Sequence, residues 1–168
     1  PRMTKKQKLL ILPYNTDWNL NLEKMLKLVK SAKVAHLATA ASNLQPYVTP
    51  VVFVVDNNYI FIPLDHKPKT VSFKDLKRVK NIQENSRVAF LVDNYKDNWQ
   101  ALWFIMLIGR AYLVEPQEIS KYKNEFNKIP NLIEKKYVQY SKVGIGESFV
   151  KIEVQNGFYW SYNKASVK

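Results

Sequence analysis

The spacing of apolar and polar residues predicts a helix near the start of the chain, followed by a strand. Over residues 20–31 the apolar side chains fall on one helical stripe with lysines between them, which is typical of a helix that packs one face on a core. Asp17 or Asn21 is suited to cap this helix. Residues 34–40 then predict a strand, and the polar segment 41–45 predicts a turn.

Four further segments are dense in β-branched and aromatic residues and therefore predict strands. They span residues 47–56, 59–64, 87–95 and 100–115. The sequence Asp-Asn-Asn at 56–58 predicts a turn between the first two segments, and Gly109 predicts a bend or bulge within the last. Residues 149–155 and 157–162 are also expected to be strands, joined as a hairpin by a tight turn at the Asn-Gly dipeptide between them.

Two more helices are expected in the middle and late parts of the chain. Apolar residues spaced by three predict a short one over residues 73–82. Residues 117–141 are helical in pattern, and we expect a division at Pro130, because a residue that precedes proline disfavours the helical conformation. Residues 65–70 break the strand pattern, since Pro68 cannot donate a hydrogen bond to a sheet.

Together these elements predict a mainly β protein with peripheral helices, built as a small barrel of about six or seven antiparallel strands. The chain lacks the regular alternation of strand and helix that a doubly wound parallel sheet requires. Its 168 residues suit a single domain. We assign that domain to residues 1–168, with residues 1–18 as an N-terminal extension.

Composition excludes several classes of site and of partner. The chain has no cysteine and two histidines, so a disulfide framework and a thiolate metal site are excluded, and no metal site is expected. The formal net charge is +12, carried mostly by scattered lysines with few arginines. This pattern favours a solvated surface over specific nucleic-acid recognition. No stretch is long and apolar enough to span a membrane and no secretory signal is evident, so we expect the cytoplasm.

No catalytic motif is evident in the chain. Gly144 and Gly146 form a G-x-G that precedes a predicted strand, whereas a dinucleotide-binding loop precedes a helix. The sequence also lacks a P-loop, a nucleophile elbow and a zinc-protease motif. No catalytic residue is therefore assigned, and any chemistry is expected to come from a cofactor.

Two groups of residues could bind such a cofactor. The loop Asp-His-Lys-Pro-Lys at 65–69 follows a predicted strand, and its Lys67 and Lys69 could direct two ammonium groups at one phosphate. Aromatic residues within 53–61 and 99–104 could wall a flat ring. The alternatives, an ordinary charged loop and an ordinary barrel core, fit the same residues.

Several short segments together resemble the pyridoxamine-phosphate-oxidase-like split-barrel superfamily, and most closely its subgroup that binds FMN or the deazaflavin coenzyme F-420. The segments are residues 35–39 (AHLAT), 46–53 (PYVTPVVF), 62–69 (IPLDHKPK), 76–82 (LKRVKNI), 85–93 (NSRVAFLVD), 99, 102–103 (LW) and 109–111 (GRA). Each is short, and it is their order and spacing that make the resemblance specific.

The resemblance implies a homodimer of split β-barrels with the cofactor, FMN or alternatively coenzyme F-420, in a groove at the subunit interface. It further implies a flavin- or deazaflavin-dependent oxidoreductase that transfers hydride between the cofactor and a small-molecule redox substrate. The alternative function is a non-catalytic module that binds or sequesters flavin. The motif that recognises pyridoxamine is not recognisable in this sequence, so oxidation of vitamin B6 is not expected.

The resemblance also implies which residues contact the cofactor. They are Thr49, Pro50, Val51, Val52, Phe53, Ile62, Pro63, Lys67, Pro68, Lys69, Trp103 and Phe104. Lys67 and Lys69 match the loop that binds the phosphate, and Lys69 fits the family's lysine best. The chain departs from the family at Pro68 and Thr49, where arginines are usual, and these departures leave both FMN and the deazaflavin open.

Overall fold

Seven strands form one antiparallel sheet in the part of the chain that the structure describes. The structure is a computed structural model, and it describes residues 21–64 and 72–162. The strands are β1 (Ala35–Ala40), β2 (Pro46–Val51), β3 (Val54–Asp56), β4 (Tyr59–Leu64), β5 (Arg87–Asn94), β6 (Trp103–Val114) and β7 (Ser148–Ser161). They lie in the order β2-β1-β5-β6-β7-β4-β3, and every neighbouring pair is antiparallel. The predicted mainly β fold and its strand number are confirmed.

Four helices accompany the sheet in the same ranges. They are α1 (Leu22–Lys30), α2 (Lys77–Glu84), α3 (Lys123–Lys136) and α4 (Tyr140–Val143). α1 begins after Asn21, whose side chain accepts a hydrogen bond of 2.9 Å from the Lys24 N–H and so satisfies a free donor of the first turn. The other predicted cap, Asp17, and the extension at 1–18 lie outside the described residues. Of the described helices, none is long and apolar enough to cross a membrane.

Side chains at alternate positions along the strands form the core of the barrel. Leu37 on β1, Phe90 on β5 and Leu107 on β6 are almost fully buried, and α1 adds Met25 to the same cluster. Phe53 meets Phe90 edge-on, with 4.9 Å between the ring centroids. Each such side chain contributes about 1.5–3 kcal/mol through the removal of its apolar surface from water.

A second, smaller core lies between the late helices and the sheet. It gathers residues from β3, β4, β7, α3 and α4: Val54, Phe61, Ile129, Ile133, Tyr137, Tyr140 and Phe149. This core attaches α3 and α4 to one edge of the sheet, and it brings the C-terminal end of α3 to the segment that joins β2 to β3.

The strand predicted over 47–56 is interrupted between β2 and β3, so the prediction of one continuous strand was wrong. The Phe53 N–H donates to the Tyr137 hydroxyl oxygen at 3.0 Å. The Phe53 carbonyl accepts from Lys136 Nζ at 2.9 Å and from the Tyr137 hydroxyl at 2.7 Å. Because side chains from the end of α3 use both backbone groups, the sheet ladder is broken at this residue.

β7 is one continuous strand, so the hairpin predicted at 149–162 was wrong. Its 14 residues pair along all 12 residues of β6, and an unbroken partner of that length forms more ladder hydrogen bonds than a hairpin would. A register shift lies between Ile108 and Gly109, so the irregularity predicted at Gly109 is present, but the extra residue, Gln155, belongs to β7. Asn156 is opposite Ile108, and its side-chain oxygen accepts a hydrogen bond of 2.9 Å from the Gly157 N–H. The Asn-Gly dipeptide therefore lies beside the bulge and does not form a turn.

α3 continues through Pro130, so the division predicted there was also wrong. Proline removes one backbone hydrogen bond, but Ile129 and Ile133 on either side of it are fully buried in the second core, and this burial favours a continuous helix. The short helix predicted at 73–82 is a 3₁₀ turn (Phe73–Asp75) followed by α2. The predicted break at 65–70 lies outside the described residues.

Candidate functional site

A broad apolar surface lies on the side of the sheet that faces away from the barrel core. Residues directly opposite each other on paired strands share a face, and the ladders align the outward residues of β2, β1, β5, β6 and β7 in three rows. The rows are Val48, Ala38, Ala89 and Ile108; then Pro50, His36, Leu91, Met106 and Phe158; then Phe104 with Trp160. We call this surface the outer face.

The outer face is accessible to solvent in the single chain. Val48 is 60% exposed, and Ala89, Leu91, Met106 and Ile108 are each partly exposed. Single apolar residues on a surface need no explanation, but a contiguous apolar patch marks a surface that binds a ligand or another protein. The outer face is therefore the candidate functional site.

Charged side chains occupy both ends of the outer face. At one end of β5, Arg87 is opposite Arg110 of β6. At the other end, Asp93 is opposite Phe104, and its carboxylate lies 3.9 Å from His36 Nδ1. The face thus has an apolar centre between polar ends, an arrangement suited to a ligand that is flat and apolar with a polar tail. Over the described ranges, no three His, Cys, Asp or Glu side chains are grouped to hold a metal ion.

Two of the predicted cofactor-contacting residues lie on the outer face. Pro50 is exposed on β2. Phe104 stacks on Trp160, with ring centroids 5.8 Å apart and 23° between the ring planes. Their neighbours Thr49 and Trp103 belong to the opposite face, because successive strand residues point to opposite sides, and Trp103 packs against the barrel core. The structure therefore separates Trp103 from Phe104.

The other predicted residues within the described ranges lie inside the protein. Val51, Phe53, Ile62 and Pro63 are buried, and Val52 packs against the second core. Val51, Phe53 and Ile62 belong to the barrel core, so in the single chain their side chains are closed to a ligand. Lys67, Pro68 and Lys69 lie outside the described residues, so the phosphate-binding loop stays a prediction.

The sequence-based interpretation missed the outer face, although β5 and β6 carry a signal for it. A strand with one face in water alternates apolar and polar residues, whereas a strand covered on both faces is a continuous apolar run. Residues 88–92 (VAFLV) and 103–108 (WFIMLI) are continuous apolar runs. Since their outward residues are partly exposed in the single chain, we expect their cover to come from outside it.

A polar group that the sequence did not single out lies where α3 meets the segment between β2 and β3. Lys136 Nζ donates to the Phe53 carbonyl and lies 3.8 Å from the centroid of the Phe53 ring. Lys33 Nζ donates to the Lys136 carbonyl and lies 5.3 Å from the centroid of the Tyr137 ring. This arrangement holds a half-buried ammonium group against an aromatic core residue.

Burial, assisted by the charges of Lys33 and Lys30, lowers the pKa of the Lys136 ammonium from 10.5 to about 8. At a pH between about 8 and 10.5, Lys136 is protonated in the unfolded chain and has released its proton in the folded chain. The free energy of unfolding must therefore rise with pH across this window. We expect a gain on the order of 2 kcal/mol in the free energy of unfolding from about pH 7 to about pH 10. Burial raises the pKa of Tyr137, so stability falls again above that range as the unfolded phenol ionises.

Urea unfolding at several pH values within that window measures the effect. Lys136→Met removes the ammonium and should lose the rise, while the wild type keeps it. A rise of the same size in both proteins would show that another group causes it.

Comparisons with known proteins agree with this architecture. A family model described as Pyridoxamine 5′-phosphate oxidase matches residues 22–161. A FAD-binding protein from Mesorhizobium loti is 16% identical with a TM-score of 0.61, over 83% of this chain and 94% of that chain. The FAD-binding protein from Mycobacterium smegmatis is 15% identical with a TM-score of 0.53, over 85% of this chain and 98% of that chain.

A heme-binding protein from Mycobacterium smegmatis is 14% identical with a TM-score of 0.60, over 84% of this chain and 55% of that chain. No protein of curated function matches the chain in sequence. At these identities the solved structures show the fold alone. That fold is the split β-barrel, which confirms the predicted fold class.

Proposed function

The chain belongs to the pyridoxamine 5′-phosphate oxidase family, and from that membership we propose that it is a homodimeric, FMN-dependent oxidoreductase of the cytoplasm. The observation that carries the proposal is the outer face, an exposed apolar sheet surface with stacked aromatic rings. A flavin ring is flat and largely apolar, so this surface suits it. Two structural neighbours are named for FAD binding, which supports a flavin-type ligand.

A second copy of the chain would complete the site. Pro50 on β2 and Phe104 on β6 are separated by β1 and β5, a span of roughly 14 Å at the usual strand spacing. One chain therefore does not enclose a ring between these two residues. When two outer faces meet about a two-fold axis, Pro50 of one copy can oppose Phe104 of the other, while the apolar centres of the faces bury each other.

The proposed hydride transfer requires no acid, base or nucleophile from the protein side chains. A bound flavin itself supplies hydride transfer, which agrees with a sequence that has no acid, base or nucleophile motif. The outer face would orient the ring, and the contact of two faces would exclude water from it. Lys67 and Lys69 would hold the phosphate through charge-assisted hydrogen bonds.

Lys69→Ala should raise the dissociation constant for FMN by about 10- to 100-fold, because a hydrogen bond to a charged group contributes ~1.5–3 kcal/mol. Titration followed by quenching of flavin fluorescence measures this. Lys96→Ala removes the same charge from an exposed position in the loop after β5 and should leave the affinity unchanged. If Lys69→Ala also leaves it unchanged, Lys69 is not part of the site.

Two further measurements separate the proposal from its alternatives. Parallel titrations with FMN, FAD, coenzyme F-420 and haem rank the cofactors, and tightest binding of FMN supports the proposal. Reduction of the bound flavin by a nicotinamide donor, followed by turnover of an acceptor, supports an enzyme. Tight binding that no donor reduces supports a module that only holds flavin.

A further inference from the structure

An apolar cavity lies between α3 and the segments that flank it, the 3₁₀ turn Pro116–Glu118 and residues 145–147 before β7. Its volume is about 390 Å³, which is within the range of sites that bind small organic molecules. The side chains that form its walls are mostly apolar: Pro116, Ile119, Phe126, Pro130, Ile145 and Phe149. We call this space the α3 cavity.

The apolar walls of the α3 cavity are in contact with solvent. Phe149 is buried, and the ring of Phe126 packs on it with 5.8 Å between the ring centroids. Ile119 is 57% exposed, and Phe126, Pro130 and Ile145 are each partly exposed. Apolar side chains that meet at one cavity in this way gain free energy when the apolar part of a ligand covers them.

Two carboxylates accompany these apolar walls. Glu134 on α3 and Glu147 before β7 both line the cavity, and both are exposed. No lysine or arginine is among the described residues that line it, and neither carboxylate forms an ion pair within the described ranges. In a chain with a formal net charge of +12, the α3 cavity is therefore lined by negative charge alone.

α3 brings a further hydrogen-bond acceptor to the same wall. In an α-helix the Phe126 carbonyl would accept from the N–H of residue 130, but Pro130 has no N–H. Phe126, Pro130 and Glu134 follow one another at intervals of four and all line the cavity, because residues four apart share a helix face. The carbonyl oxygen that lacks its helical donor is thus on the cavity side of α3, about one turn before Glu134.

We propose that the α3 cavity is a ligand site for a small organic cation, with its apolar body on the aromatic walls and its ammonium group at Glu134, Glu147 and the Phe126 carbonyl. An ammonium group supplies three donors and one positive charge, which matches three acceptors of this kind. The neighbouring aromatic rings favour a cation further. The site contains no residue of the outer face, so it does not depend on the proposed flavin function.

Titration of the full chain with phenethylamine, followed through the amide chemical shifts of isotope-labelled protein, tests the site. We expect one amine per chain, with the largest changes in shift at residues that line the α3 cavity. Two molecules of similar shape separate charge from apolar contact. Neutral phenethyl alcohol should bind at least about 10-fold more weakly than the amine, and anionic phenylacetate should not bind.

The variants Glu134→Gln and Glu147→Gln each remove one negative charge and keep the size of the side chain. Because both carboxylates are exposed, each variant should weaken phenethylamine binding about 3-fold, and the double variant about 10-fold. A double variant that combines Glu23→Gln with Asp97→Asn removes two exposed carboxylates elsewhere and is the matched control. It should bind phenethylamine like the wild type, and circular dichroism confirms that all variants are folded.

Three results would overturn the cation site. Equal affinity for phenethylamine and phenethyl alcohol would show that the cavity does not distinguish charge. Equal affinity for phenethylamine in the Glu134 and Glu147 double variant and in its control would show that these carboxylates do not hold the ammonium group. Displacement of phenethylamine by FMN would assign the amine to the flavin site. A chain that binds phenethylamine but not FMN would contradict the proposed flavin function and leave the cation site standing.

Discussion

Ile108→Glu is expected to convert the proposed dimer into a monomer that no longer retains flavin. Ile108 lies in the apolar row of the outer face nearest Arg87 and Arg110, opposite Ala89 on β5, and is partly exposed in the single chain. A carboxylate at this position is hydrated in the monomer and is taken out of water when two faces meet, a cost that Arg87 and Arg110 at the neighbouring end of the face offset only in part. Removing a carboxylate from water costs several kcal/mol, and a two-fold interface would contain two such carboxylates.

Analytical ultracentrifugation with detection of flavin absorbance follows both parts of this expectation. The dimer constant should rise at least about 100-fold, and flavin should no longer sediment with the protein. The variant should keep the circular dichroism spectrum of a folded protein, because Ile108 lies outside both cores; its thermal midpoint should fall only by the stabilisation that the second subunit and the flavin supply. Val143→Glu places the same charge on an apolar residue that is 64% exposed on α4, and it should remain a dimer with flavin.

A dimer of Ile108→Glu that keeps its flavin would show that the outer face is not the interface. A monomeric variant that still binds FMN with wild-type affinity would show that the ring lies on one chain alone. The two halves of the proposal, assembly and cofactor binding, are thereby tested separately by one substitution.

Gly109→Ala is expected to cause the largest loss of stability among single methyl additions to the sheet. A Cβ built on Gly109 would lie 2.3 Å from the carbonyl oxygen of Glu153 and 3.1 Å from its carbonyl carbon. These are backbone atoms of β7, next to the register shift that follows Ile108, so they can move only if the β6–β7 ladder moves. We expect a loss of about 3 kcal/mol or more in the free energy of unfolding.

Gly157→Ala is the matched control for this prediction. A Cβ on Gly157 would approach Met25 Sδ at 2.6 Å and Leu107 Cδ2 at 2.9 Å, which are the far ends of flexible side chains. These ends can rotate away, so the loss should be about 1–2 kcal/mol. Urea unfolding of both variants measures the difference. Equal stability of the two would show that the backbone of β7 yields at the bulge as readily as a side chain does, which would contradict the prediction for Gly109.

Most helices and strands were predicted from the sequence, because contacts between residues close in sequence determine them. α1 was predicted with Asp17 or Asn21 as its cap, and Asn21 caps it through a contact that spans three residues. A bend or bulge at Gly109 was predicted from the residue type alone, and the ladder is irregular there, with the extra residue on β7. The predictions at 47–56, at 149–162 and at Pro130 were wrong for a different reason. In each segment the structure depends on contacts with residues distant in sequence. The break before β3, for example, depends on Tyr137, 84 residues after Phe53.

The candidate site was predicted only in part for the same reason. The aromatic residues of β6 were singled out as a group, but the assignment of Trp103 and Phe104 to opposite faces requires the register with β5 and β7. Lys136 and Tyr137 were not singled out, because nothing local in their sequence shows that they reach Phe53. Continuous apolar runs in β5 and β6 were the available signal for a sheet covered on both faces.

Native mass spectrometry of the purified chain after addition of FMN tests the central claim most directly, because it counts chains and cofactors in the same particle. We predict a complex of two chains with two FMN molecules and no flavin on the single chain. A single chain that binds FMN, or a stable dimer that stays free of it at saturating concentration, would contradict the proposal that two outer faces enclose the cofactor.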